Sequence, residues 1–348
     1  MAIDSQQTMV LKTGISATPV NPDLNFRLRL DIGGANIRIQ DKLITDEETG
    51  RFYVDRESGL DMDFEVIKYH DKAGSSTIKI WNLSDSTYTK IMNEADAFEL
   101  YGAWSNDEYC SITRGYPEAL LKKAGKSIRT ANKGFLKQDA NAGRRGQNDL
   151  ETTIKLVDGK VEYEEAFFNK TYYGEVSTEL ILNDLIETLG VPIGTMAEVK
   201  HHTVFGMMYR EKSVKLLNNL GKLLGFSWTI LNGVFYLFTE EGKNETYGIF
   251  LNSNNSATPE RQNDKFKTKT ETIQKANKKK GINGVKKTTV ETEYNGYMIK
   301  TRLIPFLNPG TTCFCDFGEK LQGSKFIYKV IHRGNNYGTV AETEVYVV

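Results

Sequence analysis

The segment 177–238 constrains the fold most, because every element that it predicts has recognisable ends. Ser177 or Thr178 can cap a helix whose apolar residues recur three and four positions apart. Gly190, followed by Pro192, ends that helix. The repeating apolar residues are Leu182, Leu185, Ile186 and Leu189.

A second helix and a hairpin complete this central module. The helix follows Ser213, and Gly225 ends it in a left-handed turn. Asn232-Gly233 predicts a tight hairpin turn, which places Ile230 opposite Phe235 and Trp228 opposite Leu237. An isolated hairpin is marginally stable in water, so we expect its apolar face to pack on both helices. The predicted core residues are Trp228, Ile230, Phe235, Leu237, Leu217 and Leu220.

Residues on both sides of the module alternate between apolar and polar types, which predicts half-buried antiparallel strands. On the N-terminal side we expect strands at 26–32, 60–66, 75–83, 97–102, 109–116 and 150–157, with a short helix at 85–92. On the C-terminal side we expect strands at 249–251, 296–303, 312–317, 326–332 and 341–347. Sheets of this size commonly close into barrels or sandwiches. The predicted fold class is mostly β with a small α+β module, in which two β-rich parts flank a helix-helix-hairpin module.

The sequence predicts four parts along the chain. Residues 1–25 are polar and predict an extended N-terminal arm. Residues 26–162 form the first β-rich part, 163–245 a linker and the central module, and 246–348 the second β-rich part; the resemblance described below implies that each β-rich part is a tail-tube-like β-barrel. Residues 122–148 and a basic insertion at 261–287 contain few apolar side chains, so both are expected to be loops that are disordered in the isolated chain.

Charge is balanced overall but unevenly placed. Lysine plus arginine and aspartate plus glutamate each number 45, which gives no general electrostatic reason to bind nucleic acid or an anionic membrane. Residues 46–65 are strongly acidic and residues 261–287 strongly basic. We expect contacts between these surfaces in an assembly, and the candidate interface residues are Lys278, Lys279, Lys280, Lys286, Lys287, Glu57, Asp61 and Asp63.

The basic insertion allows three interpretations. A solvated loop is the simplest. A nucleic-acid contact is a second, although the run lacks stacking aromatic residues after Phe266. The alternating lysines and threonines at 265–270 also fit an edge strand against an acidic partner.

Residues that could carry catalysis or hold a metal do not form a recognisable pattern. Cys110, Cys313 and Cys315 lack the spacing of a zinc site or a disulfide framework, and they fit a reduced cytosolic origin. His201-His202 would point to opposite faces of a strand. The acid pairs Glu164-Glu165 and Asp61 with Asp63 lie in polar sequence, where nothing raises the pKa of a glycosidase acid. No catalytic residue, cofactor or metal site is therefore predicted, and neither a signal peptide nor a membrane span is expected.

The order of several short motifs resembles phage tail and baseplate hub proteins of the late control protein D type. The motifs are residues 78–84 with the following helix and residues 98–102, the strand 148–154 with Asp158-Gly159, the helix pair ending in 226–228 with 232–234, and residues 256–260, 303–310 and 326–334. The likeness in the order of parts spans roughly residues 26–348.

This resemblance implies a homotrimeric hub with two tail-tube-like β-barrels per subunit, which joins the hexameric tail tube to the central spike. The implied partners are a second and third copy of the chain, the tail tube protein, the spike protein, the tape measure protein and baseplate wedge proteins. DNA would pass through the lumen only in transit. The implied location is the virion tail, assembled in the cytoplasm of the host bacterium. Two alternatives from other classes are a hub-associated cell-wall hydrolase and a carbohydrate-binding adhesin of β-sandwich type.

Overall fold

The structure is a computed structural model of the 348-residue chain. It describes residues 26–45, 52–55, 60–104, 107–117, 136–139, 151–239, 249–274, 285–337 and 341–348. Among these residues, no helix combines the length and the apolar character needed to cross a membrane.

The N-terminal part consists mainly of strands whose residues alternate between buried and more exposed. Its elements are β1 (Phe26–Ile32), β2 (Ile37–Gln40), β3 (Lys42–Thr45), β4 (Phe52–Asp55), β5 (Met62–Tyr69), β6 (Ser75–Trp81), α1 (Asp85–Glu94), β7 (Phe98–Trp104), β8 (Cys110–Pro117), β9 (Leu136–Asp139) and β10 (Glu151–Val157). The six predicted strands are present, as is the predicted helix.

The sequence does not predict four strands of this part, β2, β3, β4 and β9. Each is four residues long, which is too short for an alternating apolar pattern to be recognised. β9 pairs with β10 and lies inside 122–148, so the prediction of a loop is wrong at 136–139. The remainder of 122–148 lies outside the described residues.

The central module contains more strand than the sequence predicts. Its elements are α2 (Lys160–Glu165), β11 (Phe167–Ser177), α3 (Thr178–Leu189), β12 (Ile193–Met196), β13 (Thr203–Lys212), α4 (Ser213–Leu224), β14 (Phe226–Leu231) and β15 (Val234–Thr239). The predicted linker is wrong, because its residues belong to α2 and to β11, which pairs antiparallel with β13 in a two-stranded ribbon.

Both long helices and the hairpin of the module are confirmed. The Ser177 hydroxyl accepts a hydrogen bond from the backbone N–H of Glu179 at 3.1 Å and so caps α3. Gly190 and Gly225 end α3 and α4 with φ values of 68° and 76°. In the hairpin, Trp228 pairs with Leu237 and Ile230 with Phe235, as the turn residues predict.

The C-terminal part adds β16 (Ile249–Asn252), β17 (Glu260–Gln274), β18 (Val285–Arg302), β19 (Thr312–Asp316), a short 3-10 turn (Gly318–Lys320), β20 (Gln322–Asn335) and β21 (Ala341–Val347). The prediction of a loop at 261–287 is wrong for all of its described residues. They form β17 and the start of β18, two long strands paired with each other. Residues 275–284 lie outside the described part of the chain.

The backbone register of this long hairpin pairs basic positions of β17 with acidic positions of β18. It places Lys265 opposite Glu293 and Lys267 opposite Glu291. The predicted loop ended before these two positions of β18. β18 also pairs with β21, from Tyr297 to Arg302, so the rest of the hairpin extends beyond that contact.

A continuous sheet joins the two β-rich parts. Its strands follow the order β17-β18-β21-β20-β5-β6-β10-β8-β7-β1-β2, and β9, β16 and β19 pair off this path. β20 lies antiparallel to β5, with Val330 opposite Lys68. The two predicted barrel regions therefore share backbone hydrogen bonds across their boundary.

Three large clusters of buried apolar side chains stabilise the chain, one in each part. The cluster of the module lies between α3, α4 and the hairpin, and it buries all six residues predicted for that core: Trp228, Ile230, Phe235, Leu237, Leu217 and Leu220. The predicted fold class, mostly β with a small α+β module, is confirmed.

Candidate assembly junction

Buried polar side chains meet where the three parts of the chain come together. We call Lys68, Asp158, Asn308 and His332 the junction. Lys68 lies on β5, Asp158 follows β10, Asn308 precedes β19, and His332 lies on β20. Lys68, Asp158 and His332 are buried. Since a buried charge is costly unless it is paired and hydrogen-bonded, these groups fix how the parts sit on one another.

Asp158 attaches the module to the first β-rich part. Its carboxylate accepts hydrogen bonds from the backbone N–H of Asn232, at 2.7 Å, and of Gly233, at 3.4 Å. These two residues form the turn of the β14–β15 hairpin, with φ values of 54° and 74°. Burial raises the pKa of Asp158 to about 7, against the lowering effect of these N–H groups and of Lys68.

Lys68 links the first β-rich part to the C-terminal part. Its Nζ donates to Oδ1 of Asn308 at 2.7 Å. Burial lowers the pKa of Lys68 to about 8, although the negative charge of Asp158 acts in the opposite direction. Each of these two buried groups therefore favours the charged form of the other.

His332 is a structural residue of the C-terminal part. Its Nε2 lies 3.1 Å from the carbonyl oxygen of Leu307, which only accepts, so Nε2 carries the proton. Its Nδ1 then accepts from the hydroxyl of Thr343 at 2.9 Å, and that hydroxyl accepts in turn from the N–H of Ile304. Burial lowers the pKa of His332 well below its usual value. A neutral imidazole with both nitrogens occupied is not available as a general base.

A further hydrogen bond holds the module to the β5–β6 connection, where the Thr229 hydroxyl donates to the carbonyl of Lys72 at 3.2 Å. Within the module, the Tyr163 hydroxyl on α2 accepts from the N–H of Ile230 at 3.3 Å. Burial raises the pKa of Tyr163 far above its usual value. The hairpin is thus anchored along one strand as well as at its turn.

Asn336, which follows β20, clamps the C-terminal part to the first strands of the chain. Its Nδ2 donates to Oδ1 of Asp41 at 2.6 Å and to the carbonyl of Leu60 at 2.9 Å, and its Oδ1 accepts from the N–H of Met62 at 2.7 Å. The other carboxylate oxygen of Asp41 accepts from the N–H of Leu28 at 2.6 Å. One amide side chain therefore bridges segments more than 270 residues apart.

Replacing Asn336 with alanine is expected to lower the free energy of unfolding by about 2 to 3 kcal/mol, because it leaves the buried Met62 N–H and the Asp41 carboxylate without this partner. Chemical denaturation followed by far-UV circular dichroism measures the loss. Asn254→Ala, at an exposed position, is the matched control and is expected to change stability by less than about 0.5 kcal/mol. If both variants lowered the free energy of unfolding by the same small amount, the hydrogen bonds of Asn336 would not stabilise the contact between these parts.

An ion-pair network crosses the same boundary at the surface. The guanidinium of Arg333 contacts Glu65 at 2.7 Å and also Glu344, which lies 3.5 Å from Lys300 Nζ. Glu65 is the last residue of the acidic stretch 46–65. This stretch therefore contacts the C-terminal part of its own chain. Since Arg333 and Glu65 are about a third exposed or more, the pair fixes register more than it adds stability.

The candidate interface residues lie in different places. Asp61 and Asp63 are half-buried at the start of β5, where the Tyr337 hydroxyl donates to Asp63 at 3.3 Å. Lys286 and Lys287 begin β18, opposite Ile273 and Thr272 of β17. Glu57, Lys278, Lys279 and Lys280 lie outside the described residues. Whether these residues form an interface stays a prediction.

Lys68 is the junction residue that the sequence analysis missed, although a signal exists. The inward-facing positions of β5 are Met62, Phe64 and Val66, and Lys68 is next in the same period of two. A lysine at a position that the alternation predicts to be buried has two explanations: its charge is buried and paired, or the strand ends before it. The structure shows the first, but the hydrogen-bond partner, Asn308, is 240 residues away and cannot be identified from spacing.

The described residues contain no group of three or more metal-ligating side chains. Cys313 and Cys315 are both buried, with their sulfurs 3.7 Å apart on one face of β19. Two open clefts have volumes of about 370 and 350 Å³. Asn252 and Asp316 line the first, and Trp228 and Tyr163 line the second. Neither cleft is lined by a histidine or a cysteine.

Comparison with known proteins identifies the fold. No family model matches the sequence, and no curated protein sequence matches it. Among solved structures, the 43 kDa tail protein of prophage MuSo2 from Shewanella oneidensis superposes with a TM-score of 0.53 at 9% identity, covering 92% of this chain and 96% of that chain. A tail protein from Neisseria meningitidis gives a TM-score of 0.49 at 8% identity, with coverages of 93% and 96%.

A type VI secretion system component from E. coli, described as similar to the T4 phage tail proteins gp27 and gp5, gives a TM-score of 0.46 at 11% identity, with coverages of 92% and 76%. The likeness to the Shewanella protein extends over nearly the whole of both chains. The resemblance to phage tail proteins that the sequence motifs indicated is thus confirmed as a likeness of fold.

Proposed function

We propose that this chain is a structural hub protein of a phage-type tail, which forms a trimeric ring between the hexameric tail tube and the central spike. The observation that carries the proposal is the fold, shared with a prophage tail protein along nearly the full length of both chains. Continuous backbone pairing between the two β-rich parts supports it, because a ring subunit has to transmit load between its contacts without separating.

The polar residues of the junction serve this role as structural groups. They hold the helical module against both β-rich parts, and the ones that titrate are buried where no substrate reaches them. The proposed partners are two further copies of the chain, the tail tube protein, the spike protein, the tape measure protein and baseplate wedge proteins. DNA passes through the ring in transit, and the place of action is the baseplate end of a virion tail assembled in the bacterial cytoplasm.

The residues between β17 and β18 are our candidate for a contact with an acidic partner surface. They include Lys278, Lys279 and Lys280, and Lys286 and Lys287 follow at the start of β18. Exposed ion pairs of this kind set register and association rate more than affinity.

The trimer is tested by native mass measurement of the purified chain, alone and with tube and spike proteins. We expect an assembly of three chains of 39.3 kDa each. Three copies with two barrel-like regions each supply six such units around one axis, which matches a sixfold tube. A chain that stays monomeric with both partners present would refute the ring.

A further inference from the structure

The β11–β13 ribbon exposes an apolar face that no described residue covers. Successive side chains of a strand point to opposite faces. On one face Phe168 and Tyr172 are buried in the core of the module. On the other face four large side chains are exposed: Phe167 by 53%, Tyr173 by 89%, Phe205 by 77% and Met208 by 70%. We call these four residues the ribbon face.

The four residues point away from the core of the module, because each is next in the chain to a residue that packs in or against that core: Phe168, Tyr172, Val204 and Tyr209. Thr171 faces Met208, Phe167 faces Lys212, and Glu175 faces Phe205. The register shifts between Tyr172 and Glu175, so a bulge lies there, next to Tyr173. Both outer edges of the ribbon also lack a neighbouring strand within the described part of the chain. Proteins normally shield such edges, and bare edges invite a further contact.

The exposed area is large enough for a stable interface. Large apolar side chains offer about 200 Å² each, so the four exposed fractions amount to on the order of 600 Å². A standard interface buries about 800 Å² per partner, of which a little over half is apolar. The ribbon face alone supplies that apolar share.

Charge favours another copy of the chain as the occupant. Exposed Arg210 and Lys212 lie near one end of this face and exposed Glu175 near the other. A strongly acidic partner would be repelled by Glu175 at one end of the face, and a strongly basic partner by Arg210 and Lys212 at the other. A second copy of this chain has both acidic and basic residues, so it can place opposite charges at both ends. The formal net charge of the chain is zero, so copies do not repel one another as a whole.

We propose that the ribbon face is the surface through which one copy of this chain binds the next. The proposal rests on the trimeric ring described above and names the contact that closes it. Tyr173 and Phe205, the two most exposed aromatic residues of the face, are its expected anchors, because aromatic residues dominate the energetics of interfaces.

The test compares self-association of the full-length chain with that of two double variants, by sedimentation velocity over a concentration series. Phe205→Ser with Met208→Ser removes apolar surface from the ribbon face. Leu180→Ser with Leu223→Ser removes exposed apolar residues from α3 and α4 instead, and is the matched control. We expect the ribbon variant to associate at least about tenfold more weakly and the control to associate as the wild type does. Since all four positions are exposed, far-UV circular dichroism is expected to show both variants folded.

Each outcome separates this contact from the proposed ring. A trimeric wild type with a trimeric ribbon variant overturns the contact and leaves the ring standing. A dimeric wild type that the ribbon variant dissociates supports the contact and refutes the ring. A monomeric wild type at every concentration, or equal weakening by the control, overturns the contact.

Discussion

Replacing Trp228 with alanine is expected to lower the free energy of unfolding by about 3 to 5 kcal/mol, the largest effect of any single truncation considered for this chain. The side chain is 5% exposed. Its ring stacks on Tyr163, with centroids 5.0 Å apart, and on Phe235, with centroids 5.7 Å apart. Its Nε1 donates to Oδ1 of Asn218 on α4 at 3.0 Å. Truncation therefore opens a cavity and also removes the partner of Asn218.

Urea denaturation followed by far-UV circular dichroism measures this loss. Trp228→Phe keeps an aromatic ring in the stack but lacks the N–H group, so it is expected to recover more than half of the loss. Leu223→Ala, on the exposed side of α4, is the control and is expected to cost less than about 0.5 kcal/mol. A loss below about 1 kcal/mol in Trp228→Ala would mean that the module does not depend on this stack.

The elements that the sequence predicts correctly are those with local signals. Gly190 and Gly225 mark the ends of α3 and α4, and Asn232-Gly233 determines the hairpin register, because each requires or favours a positive φ that few other residues adopt. Alternation over seven or eight residues similarly identifies β1 and β5. For each of these elements, the residues that identify it lie within about one turn or one strand of the chain.

The elements that the sequence misses depend on distant partners. β11 and β13 are separated by α3 and β12, and one face of their ribbon is apolar but exposed, so their pattern does not resemble that of a half-buried strand. β17 pairs with β18, most of which lies beyond the basic run. The pairing of β20 with β5 joins residues more than 250 positions apart. Periodicity is read from a short window of the sequence, so it carries no information about contacts between residues this far apart.

The junction shows the same limit for individual side chains. The Asp-Gly turn at 158–159 and the Asn-Gly turn at 232–233 are each recognisable, but their mutual contact is not. The contact of Glu65 with Arg333 of the same chain is likewise not predictable from spacing, because it depends on β5 and β20 being neighbours. A contact between the acidic and basic stretches of different copies stays a prediction.

Asp158→Asn is expected to become progressively more stable relative to the wild type as the pH rises from about 4 to about 7. Burial raises the pKa of Asp158 from 3.8 to about 7 in the folded chain. Between these values the folded state holds a proton that the unfolded state has released. The carboxyl group thus contributes stability that is fully present below about pH 4 and is lost as the pH rises through about 7. Asparagine is neutral throughout and can still accept from the Asn232 N–H.

The measurement is the difference in unfolding free energy between the two proteins across this range. His332 also has a shifted pKa, but Asp158 is not among the causes of that shift, so its titration largely cancels in the difference. Lys68 does not cancel, because the charge of Asp158 raises its pKa, and the comparison is therefore repeated in a Lys68→Met background. The change across the range is expected to be on the order of a few kcal/mol, since each pKa unit corresponds to about 1.4 kcal/mol. Lys68 lowers the pKa of Asp158, so in a Lys68→Met background the change should extend to higher pH. A difference that is constant from pH 4 to 7 would show that Asp158 is already ionised in the folded chain, and that Lys68 and the two turn N–H groups outweigh its burial.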